Sequence, residues 1–338
     1  MKLTFAIRIV AFLAPWSVLA EAPRAEAIDA ARLQRVVEEA VAKFKDEHGG
    51  KNADYIPYLA SVPSHLFGVA VATADGKVYA AGDVTYGFAI ESISKPFTAA
   101  LVMQESGSAA IAEKIGVEPT GLPFNSVTAV EQLKNRSVNP LVNAGAMAAV
   151  SLVKGTNAGE KWTKLLDYYG RFAGEKLPLN EEVYQSEAAT NQHNRGIAEL
   201  LASYHRLYAD PLETCDIYTK QCSVNVTVRQ LAMMGATLAN GGVNPATQER
   251  CLDAPHVPKL LAVMMIAGFY DEAGRWAWET GVPAKTGVGG GILAVVPGRF
   301  AIVAFSPPLD ESGNSVRGAK AIEYIIEQLG VNLFGTGK

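Results

Sequence analysis

The sequence predicts an α+β protein. One antiparallel sheet is built from the two ends of the chain and flanked by helices, with an all-helical lobe inserted between its halves. Three observations lead there. Hairpin-like pairs of apolar runs occur near residues 66–81 and again near 290–305, while the stretch from about Ser92 to Ala267 has helical periodicity throughout. A lone hairpin is marginal in water, so the two distant pairs are expected to share a sheet. The lobes then divide as residues 21–91 plus 268–338 against 92–267, with a ligand cleft between them.

Composition is consistent with a large core. Of 338 residues, 49% are hydrophobic and 19% charged, which excludes a disordered or low-complexity chain. Thirty Lys and Arg oppose 34 Asp and Glu with no basic block, so phosphate-driven nucleic-acid binding is not expected. Three cysteines without CxxC spacing and five scattered histidines offer no metal-ligand set.

Taken in order, residues 1–20 read as a signal peptide. Lys2 and Arg8 precede an apolar stretch too short to span a bilayer, and Val18-Leu19-Ala20 suits a cleavage site before Glu21. Cleavage would place the protein in the periplasm or outside the cell, with no membrane attachment; an uncleaved leader would leave it cytoplasmic. Asp29 caps a helix whose stripe is Leu33, Val36, Val37, Ala40, Val41 and Phe44, and Gly49-Gly50 ends it. Leu66–Ala72 and Lys77–Ala81 flank Asp75-Gly76, a type I′ hairpin signal. Thr227 caps a helix that closes at Asn240-Gly241-Gly242. Gly290–Val296 and Phe300–Phe305 are continuous apolar runs joined by Pro297-Gly298, a buried hairpin, and Ile322, Ile325, Ile326 and Leu329 give the last helix a face for the sheet.

The chemistry begins at Glu91-Ser92-Ile93-Ser94-Lys95-Pro96. Residues three apart on a helix share a face, and Pro96 is tolerated only in a first turn, so Ser92 falls at a helix N-terminus with Lys95 in reach. A serine hydroxyl needs a base, and a desolvated lysine can serve. The S-x-x-K spacing alone is weak: Ser151-Leu152-Val153-Lys154 repeats it late in an apolar helix and reads as structural. Lys285-Thr286-Gly287, running into Val288-Gly289-Gly290-Gly291, is the second element, a strand edge where glycines admit a substrate.

Together these resemble the serine-dependent glutaminases, relatives of the β-lactamases and DD-peptidases. The likeness runs from about Tyr55 to Gly318 through an ordered series that includes Asn139-Pro140-Leu141-Val142-Asn143-Ala144-Gly145-Ala146, Ser186-Glu187, Asn194-Arg195, Gln221-Cys222-Ser223 and Gly268-Phe269-Tyr270-Asp271. It implies a β-lactamase-like fold and L-glutamine as substrate, without cofactor or metal, in a homodimer or homotetramer. It assigns Glu187 to the substrate ammonium, and Tyr55, Asn143 and Asn194 to the amino-acid end. Tyr218 and Tyr270 would face Ser92, and the Ser92 and Val288 N–H groups would form the oxyanion hole. Lys95 with Tyr270 would move the proton. Unaided, Asn143 and Asn194 read equally as caps or turn residues, Glu187 as a surface helix residue, and the tyrosines as core. Glu91 stands where many members have glutamine; it is expected to lower the pH optimum, because its protonation restores a neutral donor.

Two alternatives stay open at this stage. A β-lactamase or DD-peptidase also suits the serine, the lysine and Lys285-Thr286-Gly287, and Ser137-Val138-Asn139 imitates its S-x-N motif, although it does not require Asn143, Glu187 and Asn194. A non-catalytic binding module has no use for an activated serine. Whether Cys215, Cys222 or Cys251 pair is not legible in the sequence.

Overall fold

The computed structural model describes residues 29–132 and 137–335. The leader reading falls on residues outside that range. Helix α1 (Ala30–Phe44) and the short α2 (Pro57–Ser61) precede strands β1 (Gly68–Thr73), β2 (Val78–Gly82) and β3 (Phe88–Ala89). A single 3-10 turn, Glu91–Ile93, leads into α3 (Ser94–Ser106). The helical block continues with α4 (Ser108–Lys114), α5 (Val127–Gln132), α6 (Asn143–Leu152), α7 (Ala158–Ala173), α8 (Glu181–Thr190), α9 (Gln192–Ser203) and α10 (Pro211–Cys222). Strand β4 (Asn225–Val226), α11 (Val228–Ala239) and α12 (Val257–Ala267) follow. The chain then returns through a 3-10 turn, Tyr270–Glu272, and α13 (Ala273–Thr280) to β5 (Ala284–Thr286), β6 (Gly291–Val296), β7 (Phe300–Phe305) and α14 (Val316–Leu329).

The five long-range strands form one antiparallel sheet in the order β2-β1-β7-β6-β5, so the two chain ends do meet, with Val71 opposite Ile302 at the seam. Alternation explains why these strands read as unbroken apolar runs. Val69, Val71, Ile292, Ala294, Ile302 and Ala304 face α1 and α14, while Ala70, Ala72, Leu293, Val295, Ala301 and Val303 face the helical block. A sheet covered on both faces needs apolar residues at every position. Truncating one such side chain, Ile302→Ala for instance, is expected to cost about 2–5 kcal/mol.

The structure corrects three local readings. The turn after β1 is not type I′: Gly76 N–H donates to Thr73 O (2.8 Å), Thr73 N–H donates to Lys77 O (2.9 Å), and in this turn only Gly76 has positive φ, at +88°. The Thr73 hydroxyl bonds the Asp75 carboxylate and holds residue 75 out of the left-handed region, leaving a longer turn with a bulge. Helix α1 stops at Phe44, before the two glycines. Gly50, at φ +82°, instead lets the chain lie on Leu309, whose carbonyl oxygen would be 2.4 Å from a Cβ there. The helical block also holds one small strand, β4, which pairs with β3. Other signals hold. Asp29 caps α1, and Thr227 and Gln230 form a capping box on α11. The cysteines, whose pairing the sequence leaves open, are free thiols, and Cys215, Cys222 and Cys251 are all buried.

Candidate active site

The Ser92 turn is braced from the helical side. Ile90 N–H donates to Val224 O (2.8 Å), and the Ser94 hydroxyl donates to Glu91 O (2.6 Å). Gln221 from α10 donates to Ser94 Oγ (3.2 Å) and accepts from Thr98 (2.6 Å), which also bonds the Tyr169 hydroxyl of α7. Satisfied networks of this kind rigidify what they hold. Ser92 therefore precedes α3 on a fixed turn, and Pro96 lies in the first turn of α3 as its chemistry requires. The second S-x-x-K is structural, as the sequence suggests. Ser151 bonds Ala148 O, and the Lys154 ammonium caps Glu105 O.

Lys95 is fully buried and donates to Asn143 Oδ1 (2.7 Å). The same oxygen accepts from the Tyr218 hydroxyl (3.0 Å), while Asn143 Nδ2 donates to Asn194 Oδ1 (2.9 Å). Asn143 is thus a junction of three site residues rather than a cap, although it is the first residue of α6. Burial pulls the Lys95 ammonium down to about 8, opposed by the negative potential from Cys222, Glu91 and Glu187. Its Nζ lies 5.7 Å from the Tyr218 ring centre and 5.8 Å from that of Tyr270.

Tyr270 has φ +57° and Glu91 φ +49°, a backbone region unfavourable to side-chain-bearing residues. The surroundings over-determine both. The Tyr270 hydroxyl donates to Thr286 O (3.3 Å); burial pushes its pKa up, and the neighbouring Ser92 side chain acts in the opposite direction. Lys285 lies beneath the ring, its Nζ 3.9 Å from the centre, donating to Gly268 O (3.0 Å) and Thr286 O (2.7 Å). Burial, reinforced by the charge of Lys95, pulls Lys285 well below the ordinary lysine range. Sequence reasoning passed over Lys285 as a site residue, although it heads the K-T-G signal itself.

Glycines bring the β5–β6 loop onto the serine turn. A Cβ on Gly287 would meet Ile90 O at 3.1 Å and Glu91 Cβ at 3.3 Å; one on Gly289 would meet Ala89 O at 2.8 Å. Val288 sits between them, buried, and among the described residues its N–H has no hydrogen-bond acceptor. Opposite, Glu91 and Glu187 of α8 are buried side by side, and each keeps its Oε1 without a hydrogen-bond partner. Burial pushes Glu187 up to about 7 and Glu91 well above the carboxylate range, the Glu187 charge adding to the rise at Glu91. Burial and the neighbouring carboxyl thus both favour the protonated form of Glu91. Tyr55, 53% exposed, lies at the mouth within electrostatic reach of Glu91, Tyr270 and Glu187. All ten residues singled out in the sequence thus fall in or beside one cluster. Cys222, read only as a possible disulfide partner, lies in it as well.

The S-x-N look-alike does not contribute a side-chain amide to this pocket. Asn139 donates to Glu118 O (2.8 Å) and accepts from Leu141 N (2.9 Å), holding the loop before α6.

A sheet-and-helix scaffold carrying a serine and a lowered lysine beside a glycine-lined loop defines the serine-dependent, β-lactamase-like class of amidohydrolases. The glutaminase family model matches residues 50–334, and the chain belongs to that family. It is 53% identical over 307 residues to Glutaminase 1 of Shigella flexneri, covering 91% of this chain and 99% of that one. It is 56% identical over 288 residues to a Brucella canis glutaminase, covering 85% and 91%. Among solved structures, a probable glutaminase, ybaS, superposes with TM-score 0.89 at 53% identity, covering 91% and 99%. A probable glutaminase from Bacillus subtilis complexed with 6-diazo-5-oxo-L-norleucine does so with TM-score 0.82 at 29%, covering 92% and 99%. The penicillin-recognising alternative is not favoured.

Proposed function

We propose that this chain hydrolyses L-glutamine to L-glutamate and ammonia through a γ-glutamyl ester on Ser92. The observation that carries the reading is the meeting, in one buried cluster, of a serine beside Tyr270, a lysine pulled down to about 8, and Glu187 with a carboxylate oxygen free for a cation. Glutamine offers an ammonium for Glu187, a carboxylate for the Asn143, Asn194 and Tyr55 end, and a carboxamide for Ser92.

Lys95 and Tyr270 take the Ser92 proton as Oγ bonds to the carboxamide carbon. At pH 7 about a tenth of Lys95 is neutral, enough to supply a base. The oxyanion rests on the Ser92 and Val288 N–H groups, each such donor lowering the barrier by ~3 kcal/mol. The C–N bond breaks as the nitrogen receives the proton, ammonia leaves, and water repeats the attack on the ester with the same pair as base. No step calls for a cofactor.

The test is covalent trapping. A γ-diazo-ketone analogue of glutamine should modify Ser92 stoichiometrically, and Ser92→Ala should abolish ammonia release. Full turnover by Ser92→Ala would overturn the assignment, and hydrolysis of a chromogenic cephalosporin in place of glutamine would favour the penicillin-type reading.

We also propose export after cleavage behind Ala20, checked by mass spectrometry of the mature N-terminus, and a homodimer or homotetramer, checked by light scattering. The division into a 21–91 plus 268–338 lobe and a 92–267 lobe, open to limited proteolysis, belongs to the same reading.

A further inference from the structure

Glu91, Glu187 and Cys222 come from three separate elements, the 3-10 turn, α8 and α10, and each contributes one potential ligand atom, all within 4.8 Å of one another. All three side chains are buried, and both Glu91 Oε1 and Glu187 Oε1 lack any hydrogen-bond partner. Two carboxylate oxygens and a sulfur suit a thiophilic divalent cation, whereas magnesium and calcium take oxygen ligands alone. Tetrahedral zinc with arms of 2.0–2.3 Å holds its ligand atoms about 3.3–3.8 Å apart, so rotamer shifts of about an ångström or less close the triad.

We propose that this triad is an inhibitory site for a zinc-class ion, which sits where the substrate ammonium would bind. The metal would take one oxygen from each carboxylate and the Cys222 sulfur, the thiol proton and any proton held by the carboxyl pair leaving to solvent, with water in the fourth position. The ion and glutamine then exclude each other. That exclusion rests on the assignment of Glu187 to the ammonium; the donor set itself does not.

The probe is cadmium, whose thiolate complex absorbs in the near ultraviolet, added to the purified full chain, with zinc as inhibitor in the ammonia assay. One equivalent of cadmium should develop the thiolate band, zinc should inhibit competitively with glutamine, and L-glutamate should displace the cadmium. Cys222→Ser should abolish the band. Glu91→Gln, a near-isosteric change, should weaken zinc inhibition at least about tenfold, since even outer-shell losses cost that much. Circular dichroism checks that both variants are folded, and either one alone tests the site. A band that survives Cys222→Ser, or zinc inhibition equal in wild type and Glu91→Gln, overturns the proposal. If no band forms while the diazo-ketone still labels Ser92, the metal site falls and the catalytic reading stands. If cadmium binds through Cys222 but L-glutamate does not displace it, shared occupancy is overturned together with the ammonium role of Glu187.

Discussion

Adding one methyl group at Gly289 isolates the β5–β6 loop as a catalytic part. A Cβ there would lie 2.8 Å from Ala89 O and 3.1 Å from Glu91 Cγ, where ordinary contact begins near 3.4 Å. The Ala89 contact is with backbone of β3, which is pinned to β4, so the loop must retreat by about 0.6 Å. Val288 moves with it, and its N–H withdraws from the oxyanion. Misplacing a reacting group by 1 Å can cost ~100-fold, so Gly289→Ala should lower kcat about tenfold, close to 1.4 kcal/mol of barrier, with KM little changed. Overpacking costs about 1–3 kcal/mol of stability, and the reduced entropy of the unfolded chain returns about 0.4–1 of that. The variant should therefore stay folded with a modestly lower Tm. Gly196→Ala, on the exposed side of α9 with nothing within 4 Å of its Cβ, is the control and should gain about 0.5–1 kcal/mol at unchanged activity. Steady-state ammonia release with thermal unfolding measures both. A Gly289→Ala enzyme with wild-type kcat and a lowered Tm would show that the loop moved and the reaction did not notice, removing Val288 from the mechanism.

The other expected outcomes follow from the buried ionisable groups. Asn143→Ala removes the oxygen shared by Lys95 and Tyr218 and, at about 1.5–3 kcal/mol for a bond to a charged group, should lower kcat/KM about 10- to 100-fold. Asn143→Asp places an anion on Lys95, raises its pKa, and should move the rising limb of the pH–rate profile upward from about 8. Glu91→Gln removes a carboxyl whose folded pKa lies above its unfolded value. That group binds more protons when folded, so wild-type stability falls with pH above the ordinary carboxylate range, and the Tm advantage of Glu91→Gln should widen between pH 5 and 8. A constant Tm difference across that range would refute the buried, protonated state of Glu91. Lys285→Met uncovers the Gly268 and Thr286 carbonyls beneath Tyr270 and should lower kcat at least about tenfold while changing KM little; an unchanged kcat would make Lys285 purely structural.

What the sequence made legible was local chemistry. Ser92 and Lys95 lie one helical turn apart, Pro96 marks that turn, and the two apolar hairpins announce a shared sheet because turns and alternation are encoded within a few residues. Conformations and contacts imposed by tertiary packing left no such trace. Nothing in Glu91 or Tyr270 signals a left-handed backbone; the loops around them impose it. The type I′ signal at Asp75-Gly76 failed because a side chain two residues earlier, Thr73, competes for the turn. The Gly49-Gly50 pair looks like a helix stop, yet at Gly50 the glycine is required by the approach of Leu309.

Lys285 and Cys222 show a further kind of blindness. Each occurs within a recognisable segment, and in the sequence each suggests the part its residue type usually plays: a strand-edge lysine, a disulfide candidate. The fold gives them other surroundings. Lys285 turns inward, with no carboxylate among its hydrogen-bond acceptors, and caps two carbonyls below the Tyr270 ring. The Cys222 sulfur lies within 4.8 Å of an oxygen of each carboxylate of the pair. Burying a lysine with no anionic partner is costly, as is pressing two carboxyls together. Both costs fall within a few residues of the reacting serine and beside the two strained backbone positions. A fold selected for stability alone would relieve them, for example by replacing Lys285 with methionine or Glu91 with glutamine. Their concentration at one point is what a site held ready for a charged, partly desolvated substrate requires, since glutamine brings the cation that the carboxylates lack. Binding L-glutamate, which supplies that ammonium, should therefore raise the Tm of the wild type more than that of Glu187→Gln, and equal shifts would separate the strain from the substrate.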